Sequence, residues 1–344
     1  MTWLRNAWYQ AGWSSELAAD APLVRTILDD PILFYREASG SVAAVLDRCP
    51  HRFAPLSAGR VAAGEVTCGY HGLAFDFTGA CTRNPHGPVT SRMRVRAYPV
   101  VERHAAIWIW MGDPGAVDES KLPDLGFIDA TPESARISGY MPTRANYQLM
   151  ADNILDLSHA DYLHPDTLGG MMTNAKSRTW EEGDTVTAEW LAEACTPPPA
   201  FRAMVRDGLA DIWTQVVWSP PALMVLGTAA KPAGVRRTGG DEAYTLHNMV
   251  PETMTTTHYF FCSTRSFLTD DAEFSALLRA AITQAFRDED KPMLEKQQAR
   301  MAGHDFWALD PILLPIDAGA VRARRKLDAL IAKEARAAGE AAGG

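Results

Sequence analysis

The stretch from Cys49 to Phe75, CPHRFAPLSAGRVAAGEVTCGYHGLAF, constrains this chain more than any other. It holds four soft metal ligands in two short loops: Cys49 and His51 flank one residue, and Cys68 and His71 flank two. Sixteen residues separate the two pairs. Each loop brings one thiolate and one imidazole. Each also carries turn formers, Pro50 in the first and Gly69 and Gly72 in the second. Such a set suits tetrahedral zinc, or a two-iron cluster in which histidines cap one iron. A lone Cys-x-His would mean little; the doubled pattern means much more.

Cys-Pro-His-Arg, then Ala54-Pro55-Leu56-Ser57, then Cys-Gly-Tyr-His-Gly resemble the two loops of a Rieske [2Fe–2S] domain. The resemblance implies that Cys49 and Cys68 bind one iron and His51 and His71 the other. A structural zinc site, or four unconnected core residues, are the bland alternatives, but zinc loops rarely carry this surrounding sequence. Neither loop holds the extra, cross-linking cysteine of respiratory Rieske proteins, which is similar to the oxygenase and ferredoxin branch.

The 344 residues suffice for two domains. A content of 47% hydrophobic and 22% charged residues is that of an ordinary globular protein. The net charge of -9, with both signs mixed throughout, argues against nucleic acid, which would want a basic face. No run approaches the ~18–20 apolar residues of a membrane span. The start, MTWLRNAWYQAGW, has no apolar core of a secretory signal. Beyond the two loop cysteines, Cys81, Cys195 and Cys262 are scattered, as reduced thiols of a cytoplasmic protein would be.

Residues 1–115 read as short strands forming a small antiparallel β domain around the loops. A hairpin is expected over Arg25–Tyr35 around Asp29-Asp30-Pro31, with further strands at Ser41–Leu46 and Ala105–Trp110. Residues 116–135, rich in Gly, Pro and Asp near their start, read as a linker. Residues 136–337 then form a second domain. A helix over Tyr147–His164 closes at Pro165. Alternating runs at Thr179–Glu189, Ile212–Val217, Leu223–Thr228, Tyr244–Val250 and Thr256–Cys262 predict an antiparallel sheet. Long helices follow over Ala272–Met301 and from an Asp317 N-cap to Ala337, with 338–344 a disordered tail. No Gly-rich phosphate loop offers a nicotinamide cofactor a home. The fold expected is α+β, a Rieske β domain followed by a catalytic domain whose antiparallel sheet is packed by helices in a helix-grip-like arrangement.

The helix around residue 155 carries a second set of candidate ligands. His159 and His164 are five residues apart, about 140° on a regular helix, so they converge only if the helix loosens. Pro165 gives a reason for loosening at the second of them. Asp156, three residues before His159, shares its face and is placed to accept the far ring N–H. Two histidines near a helix end are, taken alone, more often surface or core residues. Asn153-x-x-Asp156-x-x-His159-x4-His164, however, resembles the mononuclear iron motif of Rieske oxygenases, which a downstream carboxylate completes. Two histidines and one carboxylate hold ferrous iron with positions left open.

Phe274, Leu278, Ile282 and Phe286 recur every four residues along the next helix, and Asp290 continues the ladder. A carboxylate on an apolar stripe is costly unless paired or metal-bound, and Pro292 breaks the local hydrogen bonding. Spacing alone does not separate Glu289 from Asp290. The segment Glu289-Asp290-Lys291 resembles that of the family, which implies Asp290 as the ligand.

The resemblance covers nearly the whole chain and is nearest to aromatic O-demethylases of the vanillate and dicamba type. It implies a [2Fe–2S] cluster and mononuclear Fe(II), a separate NAD(P)H-dependent reductase of ferredoxin type, and a homotrimer. In that trimer electrons pass from His71 to Asp156 and His159 of the neighbouring chain, with Asn153 beside them. It also implies O2-dependent hydroxylation of an aryl methoxy carbon on a small aromatic acid, leaving a phenol and formaldehyde. Hydroxylation of an aryl methyl group, a ring carbon or another small molecule is the alternative within the family. Val225, His247, Asn248 and Ala281 are the expected pocket lining, and Arg202 or Arg206 could pair with a carboxylate, although arginines there are more often solvated. A bare electron carrier would need only the first domain.

Overall fold

The computed structural model describes residues 3–62, 64–205, 207–237 and 242–343. The chain forms two compact units, Met1–Asp124 with Glu334–Gly344, and Leu125–Lys333. In the first, three small antiparallel sheets surround the ligand loops. One hairpin joins Leu23–Ile27 to Asp30–Arg36 through Leu28 and Asp29, both at positive φ (53° and 66°). That pair, rather than Asp29-Asp30-Pro31, makes the turn. Two positive φ values in a two-residue turn match the twist of the paired strands. Cys49 and Cys68 sit in an apolar core with Leu33, Leu56, Val66 and Phe75.

Where a linker was expected, short helical turns occur at Pro114–Ala116, Glu119–Lys121, Gly126–Ala130 and Glu133–Ala135. Asp113 and Asp118 cap the first two by accepting the backbone N–H of Gly115 and Ser120. Within the first unit, Trp8 donates its indole N–H to Asp118 O at 2.9 Å. The last helix spans Ala318–Gly343, beyond the expected end at Ala337. Glu334 on it accepts the backbone N–H groups of Arg5 and Asn6, both at 3.0 Å.

The second unit is built on a seven-stranded antiparallel sheet. Its spatial order is Arg136–Thr143, Thr256–Arg265, Ala243–Thr253, Leu223–Pro232, Ala210–Ser219, Thr185–Cys195, Lys176–Glu182. The first strand thus pairs with the last, and the remaining strands meander from the far edge. Ala210–Ser219 alternates buried and half-buried residues without exception, as a strand with unlike faces must. The single strand expected over Thr179–Glu189 is two strands, turned at Gly183 (φ 54°).

The two long helices that carry the second ligand set are both interrupted. The helix begun at Tyr147 ends at Leu155, because Asp156 takes an extended conformation (φ -127°, ψ 99°). Short helical turns resume over Leu157–His159 and Ala160–Leu163. The helix starting at Ala272 is α-helical to Thr283, widens into a π-helical stretch over Gln284–Asp290, and returns to α over Lys291–Met301.

Candidate active site

The two loops of the first unit share one hydrogen-bond pattern. Cys49 N–H donates to Ala54 O (2.9 Å) and its carbonyl accepts from Phe53 N–H (2.9 Å). Cys68 N–H donates to Leu73 O (2.8 Å) and its carbonyl accepts from Gly72 N–H (3.0 Å). Phe53 and Gly72, equivalent in this pattern, both lie at positive φ (59° and 73°). Asp47, buried, pins the first loop by accepting Ser57 N–H (2.7 Å) and Ser57 Oγ–H (2.5 Å). The cysteines are buried, and burial pushes the Cys49 thiol up, aided by the hydrogen bond it shares with Cys68. The imidazoles of His51 and His71 lie outward of them with ring centres 4.5 Å apart. Buried thiols inside and accessible imidazoles outside fit a cluster with one iron in the core and one at the surface.

In the second unit, one ring nitrogen each of His159 and His164 and one oxygen of Asp290 lie within 4.8 Å of one another. The break at Asp156 turns the chain so that both histidines face inward. His159 Nδ1 is 2.5 Å from the main-chain carbonyl of Asp156, and its Nε2 lies 3.5 Å from Asp290 Oδ1. The expected carboxylate contact behind His159 is therefore corrected: the carbonyl of Asp156 holds the ring, while its carboxylate accepts Ser158 N–H at 2.9 Å. His164 Nε2 is 3.1 Å from Asp290 Oδ1, and its Nδ1 is 2.6 Å from Glu289 Oε2. Asn153 donates to Asp290 Oδ1 at 3.1 Å and lies 3.3 Å from His159 Nε2.

Burial alone would raise the Asp290 carboxyl, yet its contacts with the two histidines hold it down at about 2. Burial likewise opposes charge on His164, but Asp290 and Glu289 outweigh it and raise its pKa. With a carbonyl behind one ring and a carboxylate behind the other, both Nε2 lone pairs are left facing an anionic oxygen. A proton relieves one such contact, whereas a divalent cation satisfies all three atoms, so the donor set fits a metal.

Strand register sorts the remaining candidates. His247 pairs with Met224 and Phe261, and Met249 with Tyr259, so these side chains share one face of the sheet. Phe286, from the π-helical stretch, lies on that face, with its ring 5.5 Å from His247 and 5.8 Å from Tyr259. Asn248 pairs with Leu223, and Val225 with Leu246, which sends both to the opposite face. Their place in the lining beside His247 is thereby corrected. Ala281 is half-buried on the helix before the widened stretch. Arg202 is exposed, and Arg206 lies outside the described residues.

Two features escaped sequence reasoning. One is Tyr259, whose hydroxyl meets His247 Nδ1 at 2.7 Å. The other is Asp161, which accepts the N–H groups of Gly170, Met171, Met172 and Thr173 at 2.7–3.1 Å. Burial would raise the Asp161 carboxyl, but these contacts and the Thr173 hydroxyl hold it at about 2. Asp161→Asn should cost about 2 kcal/mol of stability and speed hydrogen exchange at residues 170–173; unchanged exchange there would contradict the role. On the outer side of His159 a cleft of about 310 Å³ is lined by Asp156, His159, Leu163, Phe306, Ile312 and Leu313, among others.

A Rieske domain followed by a buried two-histidine, one-carboxylate site defines an oxygenase component with two iron centres. Residues 7–99 match the Rieske [2Fe-2S] domain family, and residues 143–333 match the vanillate O-demethylase oxygenase C-terminal domain family. Dicamba O-demethylase, oxygenase component, from Stenotrophomonas maltophilia is 39% identical, with 97% of this chain and all of that protein covered. Chloroacetanilide N-alkylformylase, oxygenase component, from Rhizorhabdus wittichii is 36% identical over 97% of each chain. A crystal structure of dicamba monooxygenase with non-heme iron and dicamba aligns with a TM-score of 0.83 at 36% identity, covering 98% of this chain and 99% of that one. The chain belongs to the vanillate O-demethylase oxygenase family of Rieske non-heme iron monooxygenases. Among the described residues, no helix is long and apolar enough to cross a membrane.

Proposed function

We propose that this chain is the terminal oxygenase of a multicomponent O-demethylase acting on a small methoxylated aromatic. Cys49, His51, Cys68 and His71 would hold the [2Fe–2S] cluster, and His159, His164 and Asp290 a mononuclear Fe(II). The observation that carries the reading is the three inward-facing donor atoms of the second unit, within 4.8 Å, in a chain that also bears the Rieske loops. When bound, the cluster supplies electrons singly and the lone iron supplies O2 activation. The electrons come from a separate NAD(P)H-dependent reductase in the cytoplasm, and the working form is a homotrimer.

The balance is ArOCH3 + O2 + 2e⁻ + 2H⁺ → ArOH + CH2O + H2O. A methyl C–H becomes C–OH, and the hemiacetal then loses its bond to the aryl oxygen. Within the chain, Asn153 orients Asp290 through the amide N–H, and Phe286, Met249 and Met141 present an apolar surface beside it.

His247 supplies the polar contact to the substrate. Its imidazole is buried, burial pushes its pKa down to about 3, and its Nε2 has no partner among the described residues. If Tyr259 donates to Nδ1, only a donor N–H is left unmet at Nε2; the reverse arrangement leaves a hydroxyl hydrogen and a lone pair unmet. The first arrangement is cheaper. His247 therefore offers an N–H, and the substrate meets it with an acceptor oxygen. Tyr259→Phe should weaken binding of acceptor-bearing substrates about tenfold and leave an analogue without that oxygen unaffected. Equal losses for both would contradict the assignment.

The overall reading is tested with iron-loaded protein, a ferredoxin-type reductase, NADH and a panel of methoxybenzoates. Formaldehyde and phenol should form in equal amounts, one of each per O2 consumed. No substrate-dependent O2 uptake, or only methyl-hydroxylated products from a toluate arm, would overturn it.

A further inference from the structure

We propose that Glu289 is a positioning residue for the mononuclear metal, fixing His164 from behind while the adjacent Asp290 meets the same imidazole from the front. The proposal rests on the reading of His159, His164 and Asp290 as metal ligands. Glu289 Oε2 is 2.6 Å from His164 Nδ1, and Glu289 Oε1 accepts from Gln284 Nε2 at 2.9 Å. The carboxylate is thus anchored at one oxygen and engaged at the other. Successive residues of a regular α-helix point about 100° apart. Here both fall within the π-helical stretch Gln284–Asp290, a local widening of the helix of the kind often found at functional sites.

This arrangement makes the two histidines unequal. His159 gives its Nδ1–H to a neutral carbonyl, whereas His164 gives its own to an anion. A carboxylate behind an imidazole fixes its tautomer and orientation and makes the opposite nitrogen a better donor to a metal. It also balances charge. A divalent ion facing Asp290 and Glu289, with both histidines neutral, leaves no net charge in a site where His164 and Asp290 are nearly inaccessible. Without Glu289, one positive charge is left over.

The test is anaerobic titration of mononuclear-iron-free, cluster-loaded protein with Fe(II) and, separately, Co(II), with metal release to a chelator followed in parallel. Glu289→Gln should weaken binding about 10-fold and Glu289→Ala up to about 100-fold. Cluster absorbance should not change, and before metal addition Glu289→Gln, whose amide oxygen can still accept from His164 Nδ1, should melt close to the parent. If Glu289→Ala fails to fold, the near-isosteric Glu289→Gln decides the matter. Parent-like affinity in Glu289→Gln, while Asp290→Ala loses the metal, overturns the proposal. So does a lowered melting temperature with unchanged affinity, which would mark a purely structural contact. If Asp290→Ala and His164→Ala also keep parent affinity, the metal-site reading itself has failed.

Discussion

Asp156→Asn is expected to retain both iron centres and to lose turnover by about 100-fold. The division of labour within this one residue makes the variant informative. Its main-chain carbonyl holds His159 Nδ1, and one carboxylate oxygen caps the next helical turn at Ser158 N–H. Asparagine leaves the carbonyl in place and caps as well as aspartate does, so the ligand geometry should survive. What is removed is the charge, beside a cleft that includes His159. In the proposed trimer that charge would face His71 of a neighbouring copy, and the main chain of the same residue, whose carbonyl holds His159 Nδ1, would continue the path to the second centre. The cluster of the variant, once reduced, should stay reduced in the presence of substrate and O2, while iron content and the cluster spectrum match the parent. Parent-like kcat would remove the bridge from the mechanism. Loss of iron would show that the carboxylate supports the site rather than the transfer.

Sequence revealed the chemistry of this molecule more readily than its geometry. Cys49, His51, Cys68 and His71 could be singled out because candidate loop ligands lie close in sequence, and local turn formers frame them. His159, His164 and Asp290 were legible as residue types, but not the means by which they converge. The helix breaks at Asp156, before the first ligand, and not at Pro165 beyond the second. That choice follows from a side chain capping its own following turn, which competes with helix continuation and leaves no hydrophobic signature. Spacing could not separate Glu289 from Asp290; in the structure Asp290 Oδ1 lies near Nε2 of both histidines, while Glu289 meets His164 at Nδ1. Val225 and Asn248 were misplaced because a strand's inward face depends on its register with its neighbours, and a shift of one residue exchanges the faces. Tyr259 gave no signal of its own. It matters only because Met249 pairs opposite it, two residues from His247, on the shared face.

Gly59→Ala should yield protein without the cluster, or none that folds. The two ligand segments approach backbone to backbone here: a Cβ on Gly59 would lie 2.0 Å from Thr67 O and 2.8 Å from Gly69 N. Neither atom belongs to a side chain that can swing away, and Thr67 and Gly69 flank the ligand Cys68. Relief requires the loops to part, and overpacking that moves backbone costs about 1–3 kcal/mol or more. Parting them also separates Cys49 and His51 from Cys68 and His71, whose joint grip a two-iron cluster needs. Gly72→Ala provides the contrast. Gly72 lies at positive φ, and an added Cβ would come within 3.2 Å of only the Pro85 ring. Phe53, its counterpart in the other loop, already carries a large side chain at φ 59°. The expected cost there is about 1–2 kcal/mol, that of a side chain in the left-handed region, with the cluster kept. Visible absorbance and iron-to-protein ratio of the two variants, purified alike, separate the cases. A brown, fully loaded Gly59→Ala protein would mean that the loops tolerate separation and that their close approach does not set the cluster's geometry.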